Sequence, residues 1–183
     1  MALEATFREF WVSLSRLQDA FDALHVTVLD RLNDEAALAD GLEEALLEMI
    51  GTLNDTRKAV FEARKAVGHP PDLDQARRLL TVSQDCFHRL ERQFAAELIS
   101  YDKLRQLAQL GRSRGPEWSR WAHSIKQGIE QCGEPIEVSN KALSACWQEL
   151  AERAGGTSIS IRNAIVGQKI NQSTSEGNAE QVS

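Results

Sequence analysis

Two pairs of side chains are the first candidates for chemistry in this sequence: Asp22 with His25, and Asp85 with His88. A carboxylate and an imidazole three residues apart share one face of a helix, and helical bundles use Glu-x-x-His at this spacing to hold two iron or manganese ions. Here aspartate replaces glutamate, and the core positions of the neighbouring phenylalanines turn Asp22, Asp85 and His88 outward or sideways. We therefore expect solvated side chains, with no metal centre and no cofactor.

No other set of side chains has the spacing of an active site. His69 precedes two prolines and His123 follows Trp121, and neither stands at a recognisable spacing from a serine or cysteine nucleophile. Gly155 and Gly156 are followed by no lysine–threonine pair, so they do not form a phosphate-binding loop, and there is no dinucleotide-binding fingerprint. We therefore predict that the protein is not an enzyme.

The composition disfavours several classes of partner. The 183 residues include 21 basic and 27 acidic ones, which gives a net charge of −6. An acidic protein without a basic stripe is a poor ligand for nucleic acid and for an anionic membrane. No run approaches the ~18 consecutive apolar residues of a membrane span, and the first ten residues lack the apolar core of a secretory signal. Three cysteines without a CxxC pair indicate reduced thiols and a cytoplasmic protein.

Any site must be positioned by helices, because apolar residues recur with a helical period through most of the chain. Heptad-like stripes predict four long helices, at about residues 3–32, 34–67, 72–110 and 116–154. The turn 68–71 ends the second helix at its prolines, Asp72 has the character of an N-cap, and the glycines between 111 and 115 end the third helix. Short connections imply antiparallel neighbours. The predicted fold is therefore an all-α, up-down antiparallel four-helix bundle over residues 1–154.

Two features of these helices allow more than one interpretation. Gly133 and Pro135 would usually mark a turn, but the apolar register continues past them without a phase slip, so we predict one kinked helix. The first helix is aromatic-rich, and such a helix can lie in a membrane interface if it leaves the bundle. Its acidic polar face favours a place in the core. The four tryptophans also favour core packing over a ligand pocket: Trp11, Trp118, Trp121 and Trp147.

The residues after Ala154 break the helical pattern. Ile159 and Ile161 alternate with polar neighbours, which is the two-residue period of a strand. A stretch this short needs a partner strand. The sequence therefore predicts that residues 155–183 form a flexible, non-helical tail with a β-prone segment at 157–172.

This β-prone segment has the composition of a cross-β contact, with β-branched side chains, few charges, and amides that can form ladders. Gly167 would supply a bend between two short arms. The predicted interaction residues are Ile159, Ile161, Asn163, Ile165, Val166, Gly167, Gln168, Ile170 and Asn171. The alternatives are a strand or a helical turn docked on the bundle, or a disordered end without a role.

A bundle of long helices followed by a glycine hinge and a short stretch rich in Asn, Gln and Ile resembles bacterial Bell-type helical-domain proteins with a C-terminal amyloid signalling motif. The local resemblance lies at 159–171, where Ile165-Val166-Gly167-Gln168 is similar to the apolar-Gln-apolar-Gly core of necroptosis-type motifs, with the glutamine after the glycine. The resemblance implies a tail that receives a templating signal from a receptor of the nucleotide-binding oligomerisation class. It also implies a helical domain that acts on membranes as an effector of cell death.

Two hypotheses about function follow. In the first, the protein is a non-enzymatic cytoplasmic signalling or effector protein in regulated cell death or immunity. Its tail contacts a copy of itself or a matching receptor segment, nucleic acid is not a partner, and membranes are contacted only after a conformational change. In the second, it is a helical adaptor or scaffold that binds proteins through the faces of the bundle, and the tail is dispensable.

Overall fold

A computed structural model of the chain describes residues 2–30, 36–99 and 101–155. Within these ranges the protein is all-helical and contains no β-strand, which confirms the predicted all-α class for this part of the chain. The described residues form five helices where four were predicted. They are α1 (Ala2–Leu29), α2 (Ala36–Ala66), α3 (Leu73–Glu97), α4 (Tyr101–Arg114) and α5 (Pro116–Arg153).

The prediction of one helix over residues 72–110 is wrong, because α3 ends at Glu97 and a separate helix follows. The amide of Ile99 donates to the carbonyl of Phe94 at 3.2 Å, a bond that reaches back five residues and is typical of the last turn of a helix. Isoleucine is β-branched and serine as a residue type competes for backbone hydrogen bonds, so the sequence Ile99-Ser100 has low helix propensity. No proline or glycine marks this break.

The predicted break between Gly111 and Pro116 is present, but it lies at the second of its two glycines. α4 continues through Gly111 to Arg114, since one glycine costs a helix interior only about 1 kcal/mol. The chain turns instead at Gly115, whose φ of +96° is unfavourable for residues with a Cβ. Pro116 then opens α5, where its missing N–H costs no hydrogen bond.

The predicted continuity of the last helix and the predicted N-cap of α3 are confirmed. α5 is continuous through Pro135, with Cys132 before it and Leu143 after it both buried. Asp72 caps α3, because its Oδ1 accepts a hydrogen bond of 2.9 Å from the amide of Gln75.

Three hydrogen bonds show how α1 lies against α5. Cys146, Ser139 and Trp121 of α5 donate, in that order, to the carbonyl of Thr6, the hydroxyl of Ser13 and the carbonyl of Thr27. Positions rise along α1 as they fall along α5, so the two helices run antiparallel.

The other helices pack on this pair or on each other. α2 also runs antiparallel to α1, since Gln18 contacts Arg57 and His25 contacts Glu43. α3 packs along α2, where Gln93 accepts a hydrogen bond of 3.3 Å from Thr52. α4 packs on α5.

α3 and α5 are linked by two side-chain hydrogen bonds at positions that run in opposite directions along the helices. The indole of Trp147 donates to Gln84, and the amide of Asn140 donates to Glu91 at 2.6 Å. Buried residues of α1, α2, α3 and α5 form one contiguous apolar core between these helices.

Phenylalanines fill the centre of this core. Phe10 meets Phe87 edge-to-face, and Phe21 meets Phe94 at a tilt, each pair with ring centroids 6.3 Å apart. Burying one such side chain stabilises the fold by roughly 1.5–3 kcal/mol. The aromatic contacts hold α1 to α3 across the core.

Candidate functional site

The interaction residues predicted from the sequence lie outside the described residues. The structure therefore leaves these predictions untested: Ile159, Ile161, Asn163, Ile165, Val166, Gly167, Gln168, Ile170 and Asn171.

The structure describes the point from which this segment departs. At the end of α5 the amide of Ala154 donates to the carbonyl of Leu150 at 3.0 Å, and Gly155 follows with a φ of +65°. A glycine in the left-handed region directly after a helix turns the chain away from the helix axis. Thr6 contacts Cys146, so this exit lies at the end of the molecule where α1 begins.

A groove runs along the surface between α1 and α5. It has a volume of about 540 Å³. Its lining residues are Arg8, Glu9, Val12, Ser13 and Arg16 from α1, and Val138, Lys141, Ala142 and Ala145 from α5. A smaller depression of about 100 Å³ next to it adds Glu134 and Pro135. We call the larger one the α1–α5 groove.

The floor of the α1–α5 groove is apolar and open to solvent. Val12 is 40% exposed and Val138 is 37% exposed, and the small side chains of Ala142 and Ala145 complete the surface. Valine is usually buried in a folded protein. Apolar side chains grouped in a concave surface with charges at its edge are typical of a site that binds another apolar segment.

Small residues at two places along α1 and α5 let the two helices approach closely. Ser13 and Ser139 are both buried, with their hydroxyls 3.0 Å apart. A Cβ added at Gly128 would lie only 2.8 Å from Cδ1 of Leu24. The groove therefore rests on a tightly packed pair of helices.

Charges of both signs border the groove. Arg8, Arg16 and Lys141 are basic, whereas Glu9 is acidic. Lys141 Nζ lies 3.0 Å from Oε1 of Glu137, in an exposed pair that adds at most about 1 kcal/mol of stability. The border is therefore slightly basic, although the protein as a whole is acidic.

This groove was not predicted from the sequence, because its charged residues have the pattern of ordinary solvated helix faces. Val12 and Val138 carried a signal: both are large apolar residues that lie off the core stripes of their helices. The pairing of α1 with α5 is what brings them to one surface.

Three of the four residues in the aspartate–histidine pairs lie where the heptads predict. Asp22, Asp85 and His88 are exposed. His25 is partly buried, with its Nε2 3.4 Å from Oε1 of Glu43. Within the described ranges, no group of three or more His, Cys, Asp or Glu side chains is arranged to hold a metal ion.

The cysteines are free thiols in environments that suppress reactivity. Cys132 and Cys146 are buried, whereas Cys86 is partly exposed. Burial raises the pKa of Cys132 to about 12 and raises that of Cys146 as well. A nucleophilic cysteine needs a lowered pKa, so these two have the character of core residues.

The tryptophans pack against the core. Trp121 and Trp147 are buried, and the indole of Trp121 donates to the carbonyl of Thr27 at 2.8 Å. Trp11 and Trp118 are partly buried, beside the core. The guanidinium of Arg57 lies 5.1 Å from the centre of the Trp11 ring, within the range of a cation–π contact.

None of the helices in the described ranges combines the length and the apolar character needed to cross a membrane. A comparison of the chain with protein-family models, with curated proteins and with solved structures finds no match.

Proposed function

We propose that this is a non-enzymatic signalling or effector protein of the cytoplasm, acting in regulated cell death or immunity. Its segment Thr157–Gln172 makes strand contacts with a copy of itself or with a matching segment of a receptor. The observation that carries the proposal is the abrupt end of α5 at Arg153, with the left-handed Gly155 directly before a segment of two-residue periodicity. Three free thiols support a reducing compartment.

In this proposal α1, α2, α3 and α5 form an up-down four-helix bundle, with α4 as an additional helix on α5. The bundle presents the segment at one end. Phe7 and Phe10 on α1 are fully buried, so the aromatic face of α1 reaches a membrane only after a conformational change that exposes it. Exposing each phenylalanine costs about 1.5–3 kcal/mol, which keeps the helix in the core until a signal arrives.

A synthetic Thr157–Gln172 peptide tests the strand contact. We expect it to bind thioflavin T and to give a reflection at ~4.7 Å, the spacing between strands in a cross-β structure. A peptide with Ile161→Pro is the matched control, because proline removes a backbone donor and is excluded from strand interiors. A peptide that stays monomeric at high concentration and pairs with no receptor segment contradicts the proposal.

The same substitution is informative in the full chain. Ile161 lies beyond Gly155, so Ile161→Pro leaves the helical circular dichroism unchanged while it abolishes self-association measured by sedimentation. Unchanged self-association in this variant means that another surface is responsible, and it counts against the proposal.

The exposed valines of the α1–α5 groove favour a second candidate function, a helical adaptor that binds proteins through this face. If the protein is such an adaptor, Val12→Asp abolishes its cellular effect, and Ile161→Pro leaves that effect unchanged. Val26→Asp is the control, since Val26 is 62% exposed on the same helix and does not line the groove. The strand-contact function predicts instead that Ile161→Pro abolishes the cellular effect and that Val12→Asp does not.

A further inference from the structure

We infer that the α1–α5 groove is the resting dock of the chain's own segment Thr157–Gln172. The inference rests on the proposed function, since docking withholds the segment from strand contacts until it is released. The groove then binds the segment at rest, and release of the segment from the groove regulates its strand contacts.

The chemistry of the groove suits this segment. The floor presents Val12 and Val138, which are 40% and 37% exposed, so an apolar segment can cover them. Ile159 and Ile161 are two residues apart, so in an extended chain both point to the same side. Covering apolar surface contributes roughly 25 cal/mol per Å² removed from water.

The distances along the chain also fit. α5 rises about 1.5 Å per residue, so Ala145 lies about 15 Å and Val138 about 26 Å before Gly155. An extended chain covers up to about 3.3–3.6 Å per residue. About five to eight residues after Gly155 therefore reach the length of the floor, which brings the stretch from Ile159 to Asn163 over it. The φ of +65° at Gly155 is compatible with a chain that leaves the axis of α5 there.

The size of the groove favours an intramolecular occupant over a second copy of the protein. Nine residues line the groove, whereas a stable dimer takes about 20–30 residues from each partner. A tethered segment needs less contact area, because a short linker maintains an effective concentration in the millimolar range. The 28 residues after Gly155 supply both the linker and the segment.

Methyl NMR of the full-length protein tests the contact directly. Ile159 and Ile161 are changed together to serine, and the valine methyl signals are compared with those of the unaltered protein. We expect the Val12 and Val138 signals to shift, and that of Val26 on the same helix to stay. Unchanged Val12 and Val138 signals overturn the inference. So does a shift that disappears on dilution, because it marks docking between copies.

Proteolysis tests the same contact from the groove side. A docked segment must detach before trypsin cleaves after Arg162, so the cleavage rate follows the undocked population. We expect Val138→Asp in the full chain to raise the rate at Arg162 at least about tenfold, the factor that corresponds to ~1.4 kcal/mol. Val26→Asp, the matched control, leaves the rate unchanged. Equal rates in all three proteins overturn the inference.

The two proposals fail separately. If the Thr157–Gln172 peptide neither assembles nor pairs with a receptor segment but the valine signals shift, docking stands and the strand-contact function falls. If the peptide assembles and the valine signals do not shift, the function stands and docking falls.

Discussion

The hydroxyl of Ser139 on α5 donates a hydrogen bond of 3.0 Å to the hydroxyl of Ser13 on α1, and both side chains are buried. Ser13 in turn donates to the carbonyl of Phe10 at 2.7 Å. The two hydroxyls and the Phe10 carbonyl thus form a short chain of hydrogen bonds below the α1–α5 groove.

This relationship predicts a non-additive pair of substitutions. Ser13→Ala removes the acceptor of a buried hydroxyl, and we expect it to lower the free energy of unfolding by about 1–3 kcal/mol. Ser139→Ala costs less, since Ser13 keeps its bond to Phe10. The double variant should lose less than the sum of the two single losses, as measured by urea denaturation. Strictly additive losses would show that the pair is not coupled.

Alanine substitutions at two glycines of α5 should change the stability of the protein in opposite directions. Gly133→Ala adds a methyl group to open space, so it should raise the free energy of unfolding by about 0.5–1 kcal/mol through helix propensity. At Gly128 the added Cβ would lie 2.8 Å from Cδ1 of the buried Leu24, and the overpacking costs about 1–3 kcal/mol. We expect Gly128→Ala to be less stable than Gly133→Ala in thermal unfolding. The reverse order contradicts the close contact between α1 and α5.

The cap of α3 gives a prediction with an internal control. Asp72→Ala removes the acceptor for the Gln75 amide and should cost about 1 kcal/mol of stability. Asp72→Asn keeps a side-chain oxygen at the same position, so it should restore most of that loss. Urea denaturation of the three proteins checks this. Equal losses in both variants would mean that the negative charge of Asp72 matters more than its hydrogen bond.

Thiol labelling checks the packing of the cysteines. At pH 8 in the native protein, we expect a disulfide reagent to modify the partly exposed Cys86 first, and more slowly than a free thiol because burial raises its pKa. Cys132 and Cys146 should react only after unfolding. Fast labelling of all three thiols without denaturant would contradict the tight packing of α5.

Alkaline pH tests the same burial thermodynamically. The pKa of Cys132 is about 12 in the folded protein, above its ordinary value. The resulting contribution to stability is fully present below the unfolded pKa and is lost as the pH rises toward 12. We expect Cys132→Ala to have a shallower loss of stability between about pH 9 and 11 than the unaltered protein. Parallel pH profiles would argue against the burial of this thiol.

Much of the helical architecture could be predicted from periodicity alone. The stripes predicted α1, α2 and α5 to within a few residues in the described ranges, and Pro135 stays inside α5 because the apolar register on its two sides agrees. The break between α3 and α4 could not be predicted in this way. It lies at weak helix formers around Ile99, whereas Gly111, which has the stronger sequence signal, is tolerated inside α4.

The candidate site was less predictable than the helices. The α1–α5 groove is formed by residues more than 120 positions apart, so its existence depends on which helices become neighbours. Periodicity predicts which face of each helix is buried, but it does not predict which two faces meet. Val12 and Val138 acquire a common surface only through the pairing of α1 with α5.

That pairing also has a consequence for biosynthesis. Ser13 leaves the ribosome 126 residues before Ser139, its partner on α5. Until α5 is synthesised, the nascent α1, α2 and α3 lack the helix that covers one side of their apolar core, and such incomplete cores are prone to aggregation. The last helix therefore completes the fold, and the nascent chain should depend most on chaperones just before α5 emerges.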